Sequence, residues 1–341
     1  MRHWSVDELR KHGGLHTIRV GSVPDDMYLV SASYEDRTLT VAQSLAADYK
    51  ATRGVIYVNE ELLADSQGDR VRPHLEELKQ ILLSHCDAID LVEGSWLDPK
   101  RQLLALRRAL VTSGYEPMQD FAVTIDTTTF NRESLLTAVA LLRNHFPASK
   151  IRVSYTSPQK HGEWLSQGYR NVRNVMSFAG IQQSSLPTLL VVLSGFEPER
   201  TLKLIEEHEP SKVLLGIGDP PTNQQFLQRN LDDQKLILAR QEVEKFSFSA
   251  SDMLLCRDSL ETLLQPYLKS HNIALAPMST KLSTLAVFLV AEAHPEIQVT
   301  YCVPGEYNTE SYSSGADSVF VGELPQRTVA PNASEVAPDY R

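Results

Sequence analysis

The chain alternates short apolar segments with longer stretches in which apolar residues recur every three or four positions. Short apolar runs between turn residues are typical of buried strands, and the longer period is typical of amphipathic helices. Strands are predicted at 27–32, 54–58, 88–92, 120–126, 150–155, 188–194, 212–217, 235–239, 272–276 and 297–302, and the clearest helices at 99–113 and 132–145. Because several of these strands are apolar on both faces, the sequence predicts an α/β fold of two similar, doubly wound, mostly parallel Rossmann-like halves.

One stretch of sequence occurs twice. IRVSYTSPQKHGEWLSQG at 151–168 and IQVTYCVPGEYNTESYSSG at 297–315 both begin Ile-x-Val-[Ser/Thr]-Tyr and end at a glycine. A helical pattern that ends in proline precedes each of them. Near the start of each half, LVSASYEDRTL and VLSGFEPERTL both lead from a strand into Arg-Thr-Leu. Three matches in the same order predict an internal duplication.

The repeat sets the predicted domain bounds. Residues 21–185 form the first Rossmann-like domain and residues 186–322 the second. Residues 1–20 are an N-terminal extension, in which Ser5 and Glu8 fit a capping box for a short helix that ends at Gly13-Gly14. Residues 323–341 are polar and proline-bearing, which predicts an extended or disordered tail.

Composition narrows the class of protein. Of the 341 residues, 42% are hydrophobic and 22% are charged, which is ordinary for a folded domain, and the formal net charge is −10. This acidic balance argues against sequence-independent binding of nucleic acid, which depends on many cationic contacts to phosphates. No apolar run is long enough to span a membrane, so we expect a cytoplasmic protein. The spacing of Cys86, Cys256 and Cys302 matches no metal or disulfide motif.

Candidate binding residues are selected by their position after a strand. In open parallel sheets, ligands bind beyond the carboxyl ends of the strands, where helices begin with unpaired N–H groups. The candidate ligand-binding residues are Ser31, Ser33, Glu35, Arg37, Asp126, Thr127, Thr128, Tyr155, Ser194, Gly195, Arg200, Asp219, Ser279, Thr280, Tyr307, Asn308 and Tyr312. The tyrosines can stack on a flat base or fold their loop onto the sheet. The Ser, Thr and Asp residues are equally good helix caps.

These positions predict a cleft between the halves that binds a nucleotide-like or other polar metabolite, as a sensor or as a transferase or hydrolase. For catalysis, Glu197 or Glu306 is the candidate general base, and Arg200 or Lys281 the candidate that stabilises negative charge. HExxH, GxSxG and Walker A motifs are absent from the sequence. No metal site is therefore predicted. The sequence leaves the cofactor unknown, with a nucleotide and Mg²⁺ as open alternatives.

The rival hypothesis is a protein–protein scaffold or accessory subunit whose Rossmann-like halves have lost their ligand. It rests on the absence of a phosphate motif and of a catalytic signature, and it calls for a protein partner or a homodimer. Nucleotide-linked signalling or defence is one setting for either hypothesis. A deep polar cleft at the strand ends would favour the ligand-binding protein, whereas strand ends filled by their own side chains would favour the scaffold.

Overall fold

The computed structural model describes residues 1–11, 24–112, 115, 120–147 and 149–327. The strands are β1 Arg2–Ser5, β2 Asp25–Ala32, β3 Ala51–Asn59, β4 Cys86–Gly94, β5 Ala122–Asp126, β6 Lys150–His161, β7 Ser166–Asn174, β8 Thr188–Leu193, β9 Lys212–Gly218, β10 Val243–Phe248, β11 Asn272–Pro277, β12 Gln298–Tyr307 and β13 Ser313–Glu323. The helices are α1 Val6–Lys11, α2 Thr40–Gln43, α3 Asp65–Leu83, α4 Pro99–Thr112, α5 Arg132–His145, α6 Pro198–His208, α7 Gln225–Asp233, α8 Lys235–Leu238, α9 Met253–Leu264 and α10 Lys281–Ala293. Short 3₁₀ turns cover Asp36–Leu39 and Glu60–Leu62.

The strands form two sheets with the same internal order. The first sheet reads β1-β13-β6-β5-β2-β3-β4, and the second reads β7-β12-β11-β8-β9-β10. Pairing is parallel except where β13 meets β6 and β1, and where β7 meets β12. The predicted fold class is confirmed: the chain consists of two similar, mostly parallel α/β halves.

Each half gives its last strand to the other half. Strand β7 follows β6 along the chain but pairs with β12 in the second sheet. Strand β13 follows β12 but pairs with β6 in the first sheet. The predicted bounds of 21–185 and 186–322 assign β7 to the first domain and β13 to the second. In the structure, each of these strands pairs in the sheet of the other half. The N-terminal segment also enters a sheet, since β1 pairs with β13. The pattern of apolar residues carries no information on which sheet a strand joins.

Two other sequence predictions have definite outcomes. The predicted strand at 235–239 is wrong, because the short helix α8 lies there and the strand is β10 at Val243–Phe248. Strand β10 lies at the edge of its sheet and is only partly buried, so its sequence lacks the apolar run that is typical of a buried strand. The capping box is confirmed: the Glu8 N–H donates to Ser5 Oγ at 3.2 Å, and the Ser5 N–H donates to Glu8 Oε2 at 2.7 Å. The predicted Gly13-Gly14 terminus and residues 328–341 of the predicted tail lie outside the described residues.

The two sheets share one apolar layer. Helices α4, α5, α9 and α10 lie between them and contribute to a single cluster of buried side chains with both sheets. Separate clusters cover the outer faces, under α1 to α3 on the first sheet and under α6 and α8 on the second. Burying a Leu or Phe side chain contributes about 1.5–3 kcal/mol each. The halves are therefore stabilised together. None of the helices within the described ranges combines the length and hydropathy that crossing a bilayer requires.

An ion pair between a buried glutamate and a half-buried arginine connects the exchanged strand β7 to the first half. The guanidinium of Arg173 on β7 donates to both carboxylate oxygens of Glu133 on α5, at 3.0 and 2.6 Å. The same guanidinium donates to the Trp96 carbonyl at 2.5 Å. Glu133 is 2% exposed and Arg173 is 19% exposed, so loss of the Glu133 charge would leave a half-buried arginine without its counter-ion.

We expect the substitution Glu133→Gln to destabilise the protein by about 2 kcal/mol, because a carboxylate that accepts two charge-assisted hydrogen bonds is removed and its half-buried arginine stays. The measurement is the urea midpoint of unfolding at constant m-value. Glu76→Gln is the matched control, since Glu76 is exposed and pairs with Lys79 at the surface. We expect this control to change stability by less than about 0.5 kcal/mol. Equal midpoints for the two variants would contradict the role given to the Glu133–Arg173 pair.

Candidate functional site between the two halves

A buried Glu–Arg pair follows the first strand of the first half. The Arg37 guanidinium donates to the Glu35 carboxylate and, at 2.5 Å, to the Thr156 carbonyl on β6. The hydroxyl of Ser313, on the exchanged strand β13, donates to Glu35 at 2.5 Å. Glu35 and Arg37 are both buried. The pair therefore joins its own sheet to the strand supplied by the other half.

The second half contains an equivalent pair. Arg200 lies 3.2 Å from Glu197 and donates from Nε to the Cys302 carbonyl on β12 at 3.0 Å. Ser166, on the exchanged strand β7, donates to Glu197. Burial alone would raise the pKa of Glu197, but the guanidinium groups of Arg200 and Arg132 outweigh burial and the pKa lies below its ordinary value. This carboxylate is ionised at neutral pH and is a weak base.

The two networks use matching positions of the repeated segment. When the segments are aligned on their final glycines, Ser166 matches Ser313; aligned on their first tyrosines, Thr156 matches Cys302. Each serine donates to the glutamate of the opposite half, and each matched carbonyl accepts from the arginine. The repeated sequence therefore marks the place where the two halves exchange β7 and β13, which we call the crossing.

A basic side chain begins each of the two helices at this crossing. Arg132 is the first residue of α5, and Lys281 is the first residue of α10. The preceding caps are Asn131, which accepts from the Ser134 N–H at 2.7 Å, and Thr280, which accepts from Ser283 at 3.2 Å. A cation is disfavoured here because the helix dipole places partial positive charge at the N-terminus. The same costly arrangement occurs at both equivalent positions.

Among the described residues, no carboxylate lies within ion-pair distance of either basic side chain, although the charge of Glu197 acts on both. Arg132 is 8% exposed, and its hydrogen bond runs from Nε to the Ser279 carbonyl at 2.8 Å. Lys281 is half-buried and forms no hydrogen bond or ion pair within the part of the chain that the structure describes. Burial, followed by the charge of Arg132, lowers the pKa of Lys281 to about 7. The lysine is therefore poised to gain a proton when negative charge comes close.

Two cavities open at this crossing, one at the strand ends of each half. The first-half cavity is lined by segments after β2, β3, β4 and β5, among them Ser33, Tyr34, Trp96 and Phe130. The second-half cavity is lined by segments after β8, β9, β10 and β11, among them Ser194, Phe196, Phe226 and Met278. Arg132, Lys281 and Tyr312 line both cavities. The volume open to the centre of a water molecule is about 70 Å³ in the second-half cavity and about 40 Å³ in the first-half cavity.

The charges at the crossing do not cancel. The charged residues that line the cavities are the cations Arg37, Arg132 and Lys281 and the carboxylates Glu35 and Glu197. With Lys281 protonated, three positive and two negative charges leave an excess of one positive charge, in a chain whose formal net charge is −10. Low-dielectric walls around such a group concentrate its field on the cavity and attract anions.

The structure brings most of the predicted residues to these cavities. The second-half cavity is lined by Arg37, Tyr155, Ser194, Gly195, Glu197, Ser279, Thr280, Lys281 and Tyr312. The first-half cavity is lined by Ser33, Glu35, Lys281, Tyr307 and Tyr312. These residues come from both halves, as the hypothesis of a cleft between them requires. Their role in binding stays a prediction.

Other predicted residues lie away from both cavities. Ser31, Thr127 and Thr128 are buried at strand ends, where Thr127 donates to the Ser154 carbonyl at 2.7 Å. Thr128 donates to Asp126, and burial raises the pKa of that carboxyl to about 7. Arg200 lies behind Glu197, and the Asn308 side chain donates to the Trp164 carbonyl at 2.9 Å. Asp219 and Glu306 are exposed. Within the described ranges, no three His, Cys, Asp or Glu residues are grouped to hold a metal ion.

Arg132 and several of the aromatic residues that line the cavities were not among the candidates predicted from the strand ends. The signal for Arg132 is present in the sequence: Asn131-Arg132 and Thr280-Lys281 both place a cation directly after a helix cap, against the helix dipole. The aromatic residues Trp96, Phe130, Phe196 and Phe226 are ordinary core residues by pattern. The structure shows that they line the cavities.

The comparisons with known proteins assign no family. No family model and no curated protein matches the chain. Among solved structures, the chain is similar to the crystal structure of the N-domain of a bacterial malonyl-CoA reductase with NADP. That match has 10% sequence identity and a TM-score of 0.23, and it covers 81% of this chain and 78% of the other. A TM-score this low assigns no ligand to the chain.

The lowered pKa of Lys281 has a consequence for stability. A lysine in the unfolded chain has a pKa of about 10.4, so between about pH 7 and pH 10 the unfolded state binds this proton more tightly than the folded state does. The protonated side chain therefore opposes folding at low pH, and stability rises as the pH rises through this window. We expect the free energy of unfolding, measured by urea titration between about pH 7 and pH 9.5, to rise more steeply for the wild type than for Lys281→Met.

A second variant separates charge from packing. Arginine stays protonated throughout this range, so we expect Lys281→Arg to lack the additional slope and to be less stable than the wild type at high pH. If the free energy of unfolding changes with pH in the same way for the wild type and both variants, the pKa of Lys281 lies in its ordinary range.

Proposed function

We propose that the protein binds a phosphorylated, nucleotide-like small molecule between its two halves and acts as a ligand-responsive binding protein. One observation carries the proposal: Arg132 and Lys281 begin equivalent helices, line the same cavities and form no ion pair with a carboxylate among the described residues. A cation at a helix N-terminus with no ion-pair partner is unfavourable. A phosphate would supply the missing counter-charge and would also accept hydrogen bonds from the helix N-termini.

The same residues argue for binding over catalysis. A general base has to be free to take a proton near neutral pH. Glu35 and Glu197 are instead held by arginines and by serine hydroxyls, and the lowered pKa of Glu197 makes it a weak base. Glu306, the other candidate base, is exposed and lies away from the cavities. The two glutamates named as candidate bases, Glu197 and Glu306, therefore do not suit that role, and the cations at the cavities favour binding of an anion over a glutamate-catalysed transfer or hydrolysis.

A scaffold remains the second candidate, on one specific observation. Leu91 on β4, Leu97 in the loop after it and Leu104 on α4 are between 39% and 45% exposed, and β4 is an edge strand. Exposed leucines beside an unpaired strand edge are a feature of protein-binding surfaces. We expect Leu97→Glu to abolish self-association, seen by light scattering, if this surface joins two copies. If the wild type is monomeric at all concentrations tested, the hypothesis that this surface joins two copies of the chain is wrong.

The binding proposal is tested by calorimetry and thermal shift at pH 7 with pyrophosphate, mononucleotides and dinucleotides. We expect at least one phosphorylated ligand to raise the melting temperature by mass action. We expect Lys281→Met and Arg132→Met each to weaken binding by at least about tenfold, because a charge-assisted contact contributes about 1.5–3 kcal/mol.

The control variant is Lys203→Met. Lys203 is a half-buried lysine on α6 that lies over the Tyr169 ring and does not line either cavity. We expect Lys203→Met to bind the phosphorylated ligand with the affinity of the wild type. If no phosphorylated compound shifts the melting temperature, or if the control loses as much affinity as Lys281→Met, the proposed function is wrong.

A further inference from the structure

We infer that the ligand has two ring systems joined by one or more phosphates, with one ring in each cavity and the phosphates on Arg132 and Lys281. This inference rests on the proposed function and adds the class of ligand. Dinucleotides, linear or cyclic, have this composition. The observations that carry the inference are the equivalence of the two cavities, their aromatic walls and the cations that they share.

The two cavities are built from equivalent parts of the two halves. Tyr34 precedes Glu35 in the first-half cavity, and Phe196 precedes Glu197 in the second-half cavity. Thr129-Phe130-Asn131 leads into α5 in one cavity, and Met278-Ser279-Thr280 leads into α10 in the other. A group that fits one cavity therefore has a related place in the other.

Aromatic side chains line both cavities. In the first-half cavity, the Trp96 ring lies 5.2 Å from the ring of Tyr307. In the second-half cavity, the Phe226 ring lies 5.9 Å from that of Phe196 and 4.7 Å from that of His161. Burial, followed by the charge of Arg37, lowers the pKa of His161 to about 3, so this ring is uncharged at neutral pH. A bare phosphate gains nothing from such walls, whereas a planar base stacks on them.

The cations lie where the two cavities meet. Arg132 and Lys281 line both of them, together with Tyr312. A negatively charged group between them therefore has a cavity with aromatic walls on either side. The open volumes of about 70 and 40 Å³ correspond to roughly five and three water molecules, so each cavity has the scale of a small ring and not of a whole two-ring ligand.

A ligand of this shape would contact both halves at once. A mononucleotide would fill one cavity and leave the other with water, losing the stacking of a second base. Alanine substitutions under stacked bases cost about 1–3 kcal/mol per base, or roughly 5- to 150-fold in affinity. The two-ring ligand is therefore expected to bind one per chain and far more tightly than its own half.

The test is calorimetry at pH 7 with the full chain and five probes: pyrophosphate, AMP, NADP, diadenosine tetraphosphate and cyclic di-AMP. We expect at least one two-ring probe to bind with a stoichiometry of one and at least about 30-fold more tightly than AMP. We expect Trp96→Ala and Phe196→Ala each to weaken that probe by about 5- to 150-fold and to leave the affinity for pyrophosphate unchanged.

Two further variants serve as controls, one for loss of folding and one for loss of an aromatic ring outside the cavities. Trp96→Phe keeps a ring and should retain most of the affinity even if Trp96→Ala folds poorly. Tyr169→Ala is the aromatic control, since Tyr169 is exposed and lies outside both cavities, and it should leave every affinity unchanged.

The outcomes separate the two proposals. If pyrophosphate or AMP binds through Arg132 and Lys281 but no two-ring probe binds more tightly, the inference is overturned and the proposed function stands. Binding of two AMP molecules per chain with the affinity of the two-ring probes would also overturn it. If none of the five probes binds, the proposed function fails, and the inference fails with it.

Discussion

The reciprocal exchange of strands β7 and β13 is the constraint on which the rest of the structure depends. Antiparallel pairing of β13 with β6, and of β7 with β12, closes each sheet with a strand from the other half. The same crossing brings Ser313 to Glu35 and Ser166 to Glu197. The two Glu–Arg pairs, and the cavities in front of them, exist because the chain crosses there twice.

Burial decides the chemistry of the crossing. A buried carboxylate is tolerated when a cation and hydrogen-bond donors surround it, and both glutamates meet this condition. The two cations that begin α5 and α10 lack the corresponding ion-pair partner. Arg132 donates to a carbonyl, and Lys281 forms no hydrogen bond or ion pair among the described residues. Natural proteins accept such local costs mostly where a site needs them. The cavities are therefore left with unpaired positive charge, whereas the carboxylates already have their partners.

Sequence reasoning predicted the parallel sheets and most of the residues that line the two cavities, and its limits have physical reasons. Buried parallel strands such as β8 and β11 are recognisable because both faces are apolar. The edge strand β10 is not, because it is only partly buried, and the apolar run beside it is the short helix α8. The repeat marked the crossing, but the sheet that β7 joins depends on pairing between residues more than a hundred positions apart. Strand ends located Glu35 and Lys281, whereas Arg132 needed the helix dipole as a criterion.

The covalent link between the halves also permits differences between them. An arrangement with this pairing of strands could be assembled by two identical short chains, each completing the sheet of the other, and its site would then be symmetric. A single chain is free to place arginine at position 132 and lysine at the equivalent position 281, and tryptophan on one side only. Such a site distinguishes the two ends of a molecule, so an unsymmetrical ligand would enter it in a single orientation.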